Sequence, residues 1–467
     1  MSASLWTSAD IAAATGCKAS APFTATGVTF DSREVGPGDL FIALTGEATD
    51  GHRFLRQAFT QGAAGAIVSH PVEHPHVLVA DTTAALDALA RASRARTAAK
   101  IIGVTGSVGK TGTKEALFAA LDRGARGAAH RSVKSYNNHT GVPLSLSRMP
   151  AETRFGVFEM GMNHAGELSA LTQLVRPHVA IVTTIAPAHT AFFRDEAAIA
   201  DAKGEIFQGL EPGGVAIVPY DSPHRDRLVA AAAPHAARTV TFGLDKGADV
   251  RAIESMRLAS GATFVTAVVG ERELSFTISQ PGQHWVSNSL AVLAAVDAVG
   301  GDLAAAGLAL AELGGLAGRG ARFAMPLGGG DALVIDESYN ANPSSMRATL
   351  AVLGAERATR KIVVLGEMRE LGERSDGYHA ALLEPILAAG VEAGILVGEA
   401  MAPLANVLEG KGDFVHVADA AAARASLLKL LAPGDAVLIK GSNGVGLSAI
   451  VADLRSRIPE TLRSGTL

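Results

Sequence analysis

The sequence predicts an α/β protein built as three successive units, a small α/β unit followed by a parallel-sheet unit and a doubly wound one. Two observations carry this. Short, almost wholly apolar runs, for example 101–104, 215–218 and 361–365, alternate with helix-length segments along the chain, as strands buried on both faces of a parallel sheet do. In addition, a glycine-bearing loop at 105–109 follows one of these strands and leads into a helix opening at Lys110. That order places successive backbone N–H groups and a helix N-terminus around one point, which suits an anion. A length of 467 residues fits three domains of ordinary size.

Composition narrows the class. Charged residues are 19% and hydrophobic ones 48%, a balance that builds folded cores and not a disordered chain. No apolar run is long enough for a membrane span. The first ten residues lack a basic segment followed by an apolar one, so no signal peptide is expected. The single cysteine, Cys17, has no partner for an internal disulfide and reads as a small packing residue. A net charge of −5 argues against a nucleic-acid partner. A cytoplasmic soluble enzyme is expected.

The first unit, 1–98, has strand-like runs at 27–30, 40–44, 65–68 and 77–80, with helices near 51–61 and 82–99. Pro37-Gly38 is turn chemistry in the loop between the first two strands. Ser32, Arg33 and Thr45 are loop residues whose types, taken alone, are more often structural than ligand-binding. The second unit, 99–315, starts with the strand before the glycine loop and continues with strands at 155–158, 179–184 and 215–218. A β-rich stretch at 250–278 reads as hairpins on its flank, and a helix is expected at 286–299. The third unit, 316–467, alternates strands at 332–335, 361–365, 394–397 and 436–439 with helices, a second doubly wound pattern. Gly314-Gly315 and Gly318 to Gly320 mark a hinge before it.

The chemistry gathers where strands end. Gly106, Ser107, Val108, Gly109, Lys110 and Thr111 form a short G-x-x-G-K-T phosphate loop; the longer pattern would need glycine where Val104 stands. Lys110 can reach terminal phosphates, and the Thr111 hydroxyl can hold Mg²⁺. Glu159 ends the strand at 155–158 and offers an oxygen ligand of the kind a hard cation takes. His189 follows the strand at 179–184; histidine is a less usual Mg²⁺ ligand. Lys203 shares a helical face with Ile199, Ile206, Phe207 and Leu210. Such a lysine either snorkels outward or is buried with a lowered pKa. In the second case its neutral amine can capture carbon dioxide, and the carbamate becomes a ligand for a second Mg²⁺.

In this order the motifs resemble the Mur ligase family, the ATP-dependent amide-bond-forming enzymes of peptidoglycan synthesis. The resemblance spans all three units: Asp31-Ser-Arg with Pro37-Gly-Asp-Leu-Phe-Ile-Ala43; Gly106-Ser-Val-Gly-Lys-Thr111; Asn137-Asn138-x-x-Gly-x-Pro143; Glu159-Met-Gly-Met-Asn-His164; Ala202-Lys-Gly-Glu-Ile206; His284-x-x-x-Asn288; Gly318-Arg-Gly320; Asp336-Glu-Ser-Tyr-Asn-Ala-Asn-Pro343; Leu365-Gly-Glu-Met-Arg-Glu-Leu-Gly372; and Lys440-Gly-Ser442. It implies the three-domain Mur ligase architecture: a UDP-substrate domain at 1–98, an ATP-binding P-loop domain at 99–315 and a Rossmann-like domain at 316–467. It also implies ATP, two Mg²⁺ ions and a carbamylated Lys203. Lys110 and the loop from Gly106 to Gly112 would hold the phosphates, Thr111 and Glu159 one Mg²⁺, and His189 and Lys203 the other. Asn288 would meet adenine, Asp336 the ribose, and Arg319 the phosphates from across the hinge. Ser32 and Thr45 would meet the uridine diphosphate end, and Asn138, Asn163 and His164 the muramoyl-peptide.

The substrates implied are UDP-N-acetylmuramoyl-tripeptide and D-alanyl-D-alanine, in a monomer. Tyr339-Asn-Ala-Asn-Pro343, and the lack of an Asp-Asn-Pro-Arg stretch, favour them over the substrates of the sister enzyme that adds the third peptide residue. A P-loop ATPase of different substrate is the reading from another class. The chain departs from the family pattern in four places. Trp285 stands where asparagine is frequent, Gly112 where threonine is usual and Asn443 where arginine is usual; Ala186-Pro187 replaces a glycine-containing turn.

Overall fold

The computed structural model describes residues 4–46, 49–187 and 191–459. In the first unit, Gly27–Thr29, Asp39–Ile42, Gly65–Val68 and His76–Leu78 lie side by side in that order, all parallel. Leu40, Ile42, Ile67 and Val77 are fully buried, so the apolar runs are core strands as expected. An antiparallel pair, Trp6–Thr7 with Thr24–Ala25, is too short for any periodicity to announce. The helix Thr82–Ala95 opens where the Asp81 carboxylate accepts from the N–H groups of Thr83 and Ala84. It also ties the first unit to the second. The buried Arg94 guanidinium donates to Val175 O and Arg176 O at 2.9 and 2.8 Å, and Arg96 Nη2, just past the helix, donates to Met149 O at 3.3 Å.

The second unit is one nine-stranded sheet. In space its parallel part runs Ala129–Arg131, Phe155–Glu159, Lys100–Thr105, Val179–Val182, Val215–Pro219, Arg238–Gly243, Val250–Arg257. Thr263–Val269 and Arg272–Ile278 add antiparallel strands. The expected flanking hairpins therefore continue the same sheet. Arg238–Gly243 is half exposed and Ala129–Arg131 only partly buried, which is why no apolar run marks them.

The strand Lys100–Thr105 has Phe155–Glu159 on one side and Val179–Val182 on the other, while Ala129–Arg131, next in the chain, lies beyond Phe155–Glu159 at the sheet edge. This is a switch point, where the loops after neighbouring strands diverge and leave a crevice. Helices Lys110–Ala125, Gln283–Ala298 and Leu303–Ala311 cover one face. Glu167–Val175 and Glu196–Gly204 cover the other.

The third unit is a six-stranded sheet: Ala321–Leu327, Gly330–Glu337, Asp435–Lys440, Arg360–Gly366, Ala393–Val397, Asp413–Val417. Only the first pair is antiparallel. The four interior strands are those the sequence predicts. The edges, Ala321–Leu327 and Asp413–Val417, carry mixed or exposed residues and give no such run. Among the described residues, no helix is long and apolar enough to cross a membrane.

Candidate active site

The phosphate loop is held in shape from below by the segment after Val179–Val182. Ser107 N donates to Thr184 O at 2.7 Å, and Ser107 Oγ donates to Ala186 O at 2.9 Å. Thr183 Oγ1 lies 2.6 Å from Val108 O and 3.1 Å from Thr105 O, so one hydroxyl serves both carbonyls. Two glycines are required. At Gly106, φ is +146° and a Cβ would stand 1.9 Å from Thr183 Oγ1; at Gly109, φ is +91° and a Cβ would stand 2.8 Å from Asn288 Oδ1.

Lys110 Nζ donates to Gly106 O at 2.6 Å, which keeps the ammonium over its own loop. Burial lowers its pKa, Glu159 opposes the shift, and Arg319 adds to it.

Glu159 is fully buried at the end of its strand. Thr111 Oγ1 donates to its Oε2 at 2.9 Å, and Asn137 Nδ2 donates to its Oε1 at 2.7 Å. The Lys114 ammonium, also fully buried, is 3.9 Å from Oε2 and donates to Ser132 O and Lys134 O at 3.0 and 2.6 Å. A hydroxyl and a carboxylate oxygen side by side at the helix start fit a hard cation that also takes phosphate oxygens. Among the described residues, no group of three or more His, Cys, Asp or Glu gathers to hold a metal without such help.

Lys203 is 1% exposed, as buried as Ile199, Ile206 and Phe207 on its helix face, so it does not snorkel. Burial, and then the Lys110 charge, push its pKa well below the lysine range. His189 lies outside the described residues.

The opposite wall belongs to the third unit. Arg319 Nη2 donates to Ser135 Oγ at 3.2 Å, and its guanidinium lies 4.3 Å over the Tyr339 ring. Asp336 does not reach the cavity. It is 3% exposed and accepts from Gly318 N at 2.7 Å and from the Ser338 hydroxyl at 2.6 Å, which pins the loop carrying Arg319. Its neighbour Glu337 does face in, 3.5 Å from Lys440 Nζ. Burial raises the Glu337 pKa and lowers that of Lys440, and each opposes the other's shift.

The two walls enclose about 270 Å³, lined by the phosphate loop, Glu159, Asn137, Trp285, Asn288, Arg319 and Tyr339 among others. Asn288 is 6% exposed, beside Gly109. The Trp285 ring fills the space next to Gly112, where a Cβ would lie 3.0 Å from it. Two departures from the family pattern thus meet at one spot: the glycine makes room for the indole.

The remaining sequence-predicted residues are spread more widely. Asn163 lines the cavity. Asn138 does not; its Oδ1 accepts from Gly141 N at 2.9 Å at the start of Gly141–Ser147, while its neighbour Asn137 points in. His164 is exposed and pairs with Glu167 at 3.0 Å. Ser32 and Thr45 belong to the first unit, away from this cavity. Ser32 is buried with its hydroxyl 3.4 Å from Gln57 Oε1, and Thr45 is exposed. Sequence reasoning assigned nothing to Ser135, Thr183, Glu337 or Lys440. Glu337 and Lys440 sat inside quoted motifs, which was the available signal.

Family models match the chain three times: the Mur ligase family catalytic domain over 24–100, the Mur ligase middle domain over 104–296, and the Mur ligase glutamate ligase domain over 321–443. The UDP-N-acetylmuramoyl-tripeptide–D-alanyl-D-alanine ligase of Escherichia coli K12 is 34% identical over 93% of this chain and 95% of its own length. Its counterpart in Rickettsia prowazekii is 32% identical over 96% and 99%. A crystal structure of MurF from Acinetobacter baumannii superimposes with a TM-score of 0.83 at 30% identity, covering 97% of this chain and 99% of that one.

Proposed function

The chain belongs to the Mur ligase family, and from that premise we propose that it joins D-alanyl-D-alanine to UDP-N-acetylmuramoyl-tripeptide, consuming ATP and giving ADP, phosphate and UDP-N-acetylmuramoyl-pentapeptide. One observation carries the reading. A phosphate loop with Lys110 and the Thr111–Glu159 pair faces Arg319 of the third unit across a single cavity, in a chain aligned nearly end to end with ligases of that name.

A carboxylate is a poor acyl donor, so the tripeptide's terminal carboxylate first takes the γ-phosphoryl group and ADP leaves. The dipeptide amine then attacks the acyl carbon, phosphate departs, and the nitrogen loses a proton. Lys110 and the loop N–H groups neutralise the oxygens of the transferring phosphoryl group, where most of the catalysis of such transfers resides. Mg²⁺ at Thr111 and Glu159 would supply further charge neutralisation there, with a second ion at His189 and a carbamylated Lys203. Asn137 and Lys114 hold the Glu159 carboxylate in place. Arg319 would reach the phosphates as the third unit closes about the hinge at 314–320, which keeps water from the acyl phosphate.

In this reading 1–98 takes the UDP-substrate, with Ser32 and Thr45 at its uridine diphosphate end. The unit at 99–315 takes ATP, with Asn288 toward the adenine, and 316–467 is the closing domain, with Asp336 holding the loop that carries Arg319. Asn138, Asn163 and His164 lie along the path of the muramoyl-peptide. The enzyme works as a monomer in the cytoplasm.

The test is phosphate release from ATP and UDP-muramoyl-tripeptide, with and without D-alanyl-D-alanine. Release that needs the dipeptide, with its mass added to the sugar-nucleotide, supports the reading. Phosphate release without an amide product overturns it in favour of a P-loop ATPase of different substrate.

A further inference from the structure

Beyond the phosphate loop, the nucleotide cavity is walled by His284 and Trp285 on the second unit's side and by Ser345, Ala348 and Thr349 on the third's. The last three belong to the helix Pro343–Gly354. The start of Gln283–Ala298 meets that helix closely: a Cβ on Gly282 would stand 2.7 Å from His284 Cε1 and 2.9 Å from Val352 Cγ2. A base whose phosphates lie in the loop extends into this space.

The third unit's wall has spent its hydroxyl hydrogens on its own helix. Ser345 Oγ donates to Asn342 O at 3.0 Å and accepts from Asn342 N at 3.1 Å, as part of the helix cap. Thr349 Oγ1 lies 2.9 Å from Ser345 O and 3.1 Å from Met346 O, and donates within that turn. A base edge turned this way meets small, already paired side chains.

The second unit's wall offers two polar groups that fit more than one edge. The Asn288 amide presents a donor or an acceptor according to which way it is turned. The His284 imidazole, kept neutral by burial with its pKa down at about 4, does so according to its tautomer. Neither favours an amino-bearing purine edge over a carbonyl-bearing one. The largest group here is the half-buried Trp285 indole. Its Cη2 and Cζ2 edge lies 3.0 and 3.3 Å from where a Gly112 Cβ would stand, so the ring leans over the first turn of Lys110–Ala125, beside the phosphate loop. An indole face carries no hydrogen-bond pattern and attracts any flat π surface.

We propose that Trp285 recognises the nucleotide base by stacking on its plane, so that this enzyme uses inosine triphosphate nearly as well as ATP while discriminating against cytidine triphosphate. The inference rests on the reading of this cavity as the ATP site. The indole takes either purine on its face, and Asn288 and His284 adapt to either edge. A pyrimidine has one ring fewer to lay on it. Gly112 belongs to the same device, because a side chain there would displace the ring.

The chain has two tryptophans. Trp6 is 2% exposed in the first unit, with its indole N–H on Ser147 O at 2.8 Å, so a base-dependent change in fluorescence reports Trp285. Non-hydrolysable analogues of ATP and inosine triphosphate are each expected to quench the emission. Magnesium tripolyphosphate, which fills the loop without a base, should not. In dipeptide-dependent phosphate release, kcat/KM for inosine triphosphate should fall within about 10-fold of that for ATP, and for cytidine triphosphate about 10- to 100-fold below it. Trp285→Leu should raise the KM for both purine nucleotides about 10-fold and shrink the purine-to-pyrimidine ratio, while Trp285→Phe keeps most of it. A wild type that prefers ATP to inosine triphosphate by more than about 100-fold overturns the proposal, because the base is then read at its edge. Equal quenching by tripolyphosphate overturns it too, as does a Trp285→Leu variant with an unchanged ratio, whose ring would be packing alone. If wild type forms no amide product with any nucleotide, the ligase reading has failed, and base-dependent quenching still decides the stacking.

Discussion

On the phosphate-loop side of the nucleotide cavity, each functional group is fixed by neighbours in one sheet: Ser107 and Thr183 by hydrogen bonds beneath the loop, Glu159 by Thr111, Asn137 and Lys114. On the third-unit side, Arg319 is held by a loop between two left-handed glycines, Gly318 at φ +72° and Gly320 at +89°, and crosses to the other wall at Ser135. The first wall is organised before any ligand arrives; the second belongs to the unit proposed above to close over the nucleotide. Groups that act on developing charge belong on the rigid side, because preorganisation is what gives them their effect. Groups that sense the nucleotide and exclude water belong on the side that closes.

The largest expected effect is therefore on the rigid wall. Lys110→Ala should lower the rate of dipeptide-dependent phosphate release by about 10²- to 10³-fold. Its thermal midpoint should hardly change, since the ammonium's hydrogen bond is to Gly106 O of its own loop. Arg319→Ala should cost less, about 10- to 100-fold, and mainly as a raised KM for ATP. Steady-state kinetics with ATP as the varied substrate separates the two. If Arg319→Ala loses as much kcat as Lys110→Ala at unchanged KM, the division between a catalytic wall and a closing wall is wrong.

A smaller effect tests how tightly the rigid wall is packed. Threonine has a better helix propensity than glycine by a few tenths of a kcal/mol, so Gly112→Thr would stabilise the helix Lys110–Ala125 if nothing opposed it. The Trp285 ring does oppose it, 3.0 Å from the new Cβ. A net loss of about 1–3 kcal/mol is expected from overpacking. In a Trp285→Asn background the same change should be neutral or favourable. Urea unfolding of the two single variants and the double variant gives the coupling; additive losses would mean the ring does not set the residue at position 112.

The same contrast explains what the sequence disclosed. The phosphate loop is contiguous, so its residues could be assigned from spacing, and Glu159 could be placed because it ends an apolar strand. Lys203 could be placed on its helix face but not inside or outside the core; burial decided that. Asn137 and Asn138 are adjacent, and only the turn into Gly141–Ser147, which takes up Asn138 Oδ1, determines that Asn137 meets Glu159. Thr183 and Ser135 matter through partners about 75 and 184 residues away in sequence, which no local pattern encodes. Asp336 lies one residue before the end of its strand, yet it turns inward to the Arg319 loop, because Gly318 N and Ser338 offer it hydrogen bonds.

The smallest effect distinguishes the cavity lining from the core by pH. His130 and His284 are each pushed down to about 4, in both cases chiefly by burial. His130 sits inside the second unit, where its Nε2–H donates to Ser145 O at 2.8 Å. His284 lines the nucleotide cavity, and the Lys440 charge also lowers its pKa. In the unfolded chain both titrate near 6.5. Between that value and about 4 the unfolded state therefore binds more protons than the folded one. The stability these neutral imidazoles allow is fully present above about 6.5 and is lost as pH falls toward 4, at up to about 1.4 kcal/mol per pH unit for each. His130→Gln and His284→Gln should each flatten the acid limb of a plot of unfolding free energy against pH. Saturating ATP analogue, with its negative charge next to His284, should flatten the limb further in His130→Gln but hardly at all in His284→Gln. An equal effect of nucleotide in both variants would place His284 in the core with His130, and would remove it from the surface the nucleotide meets.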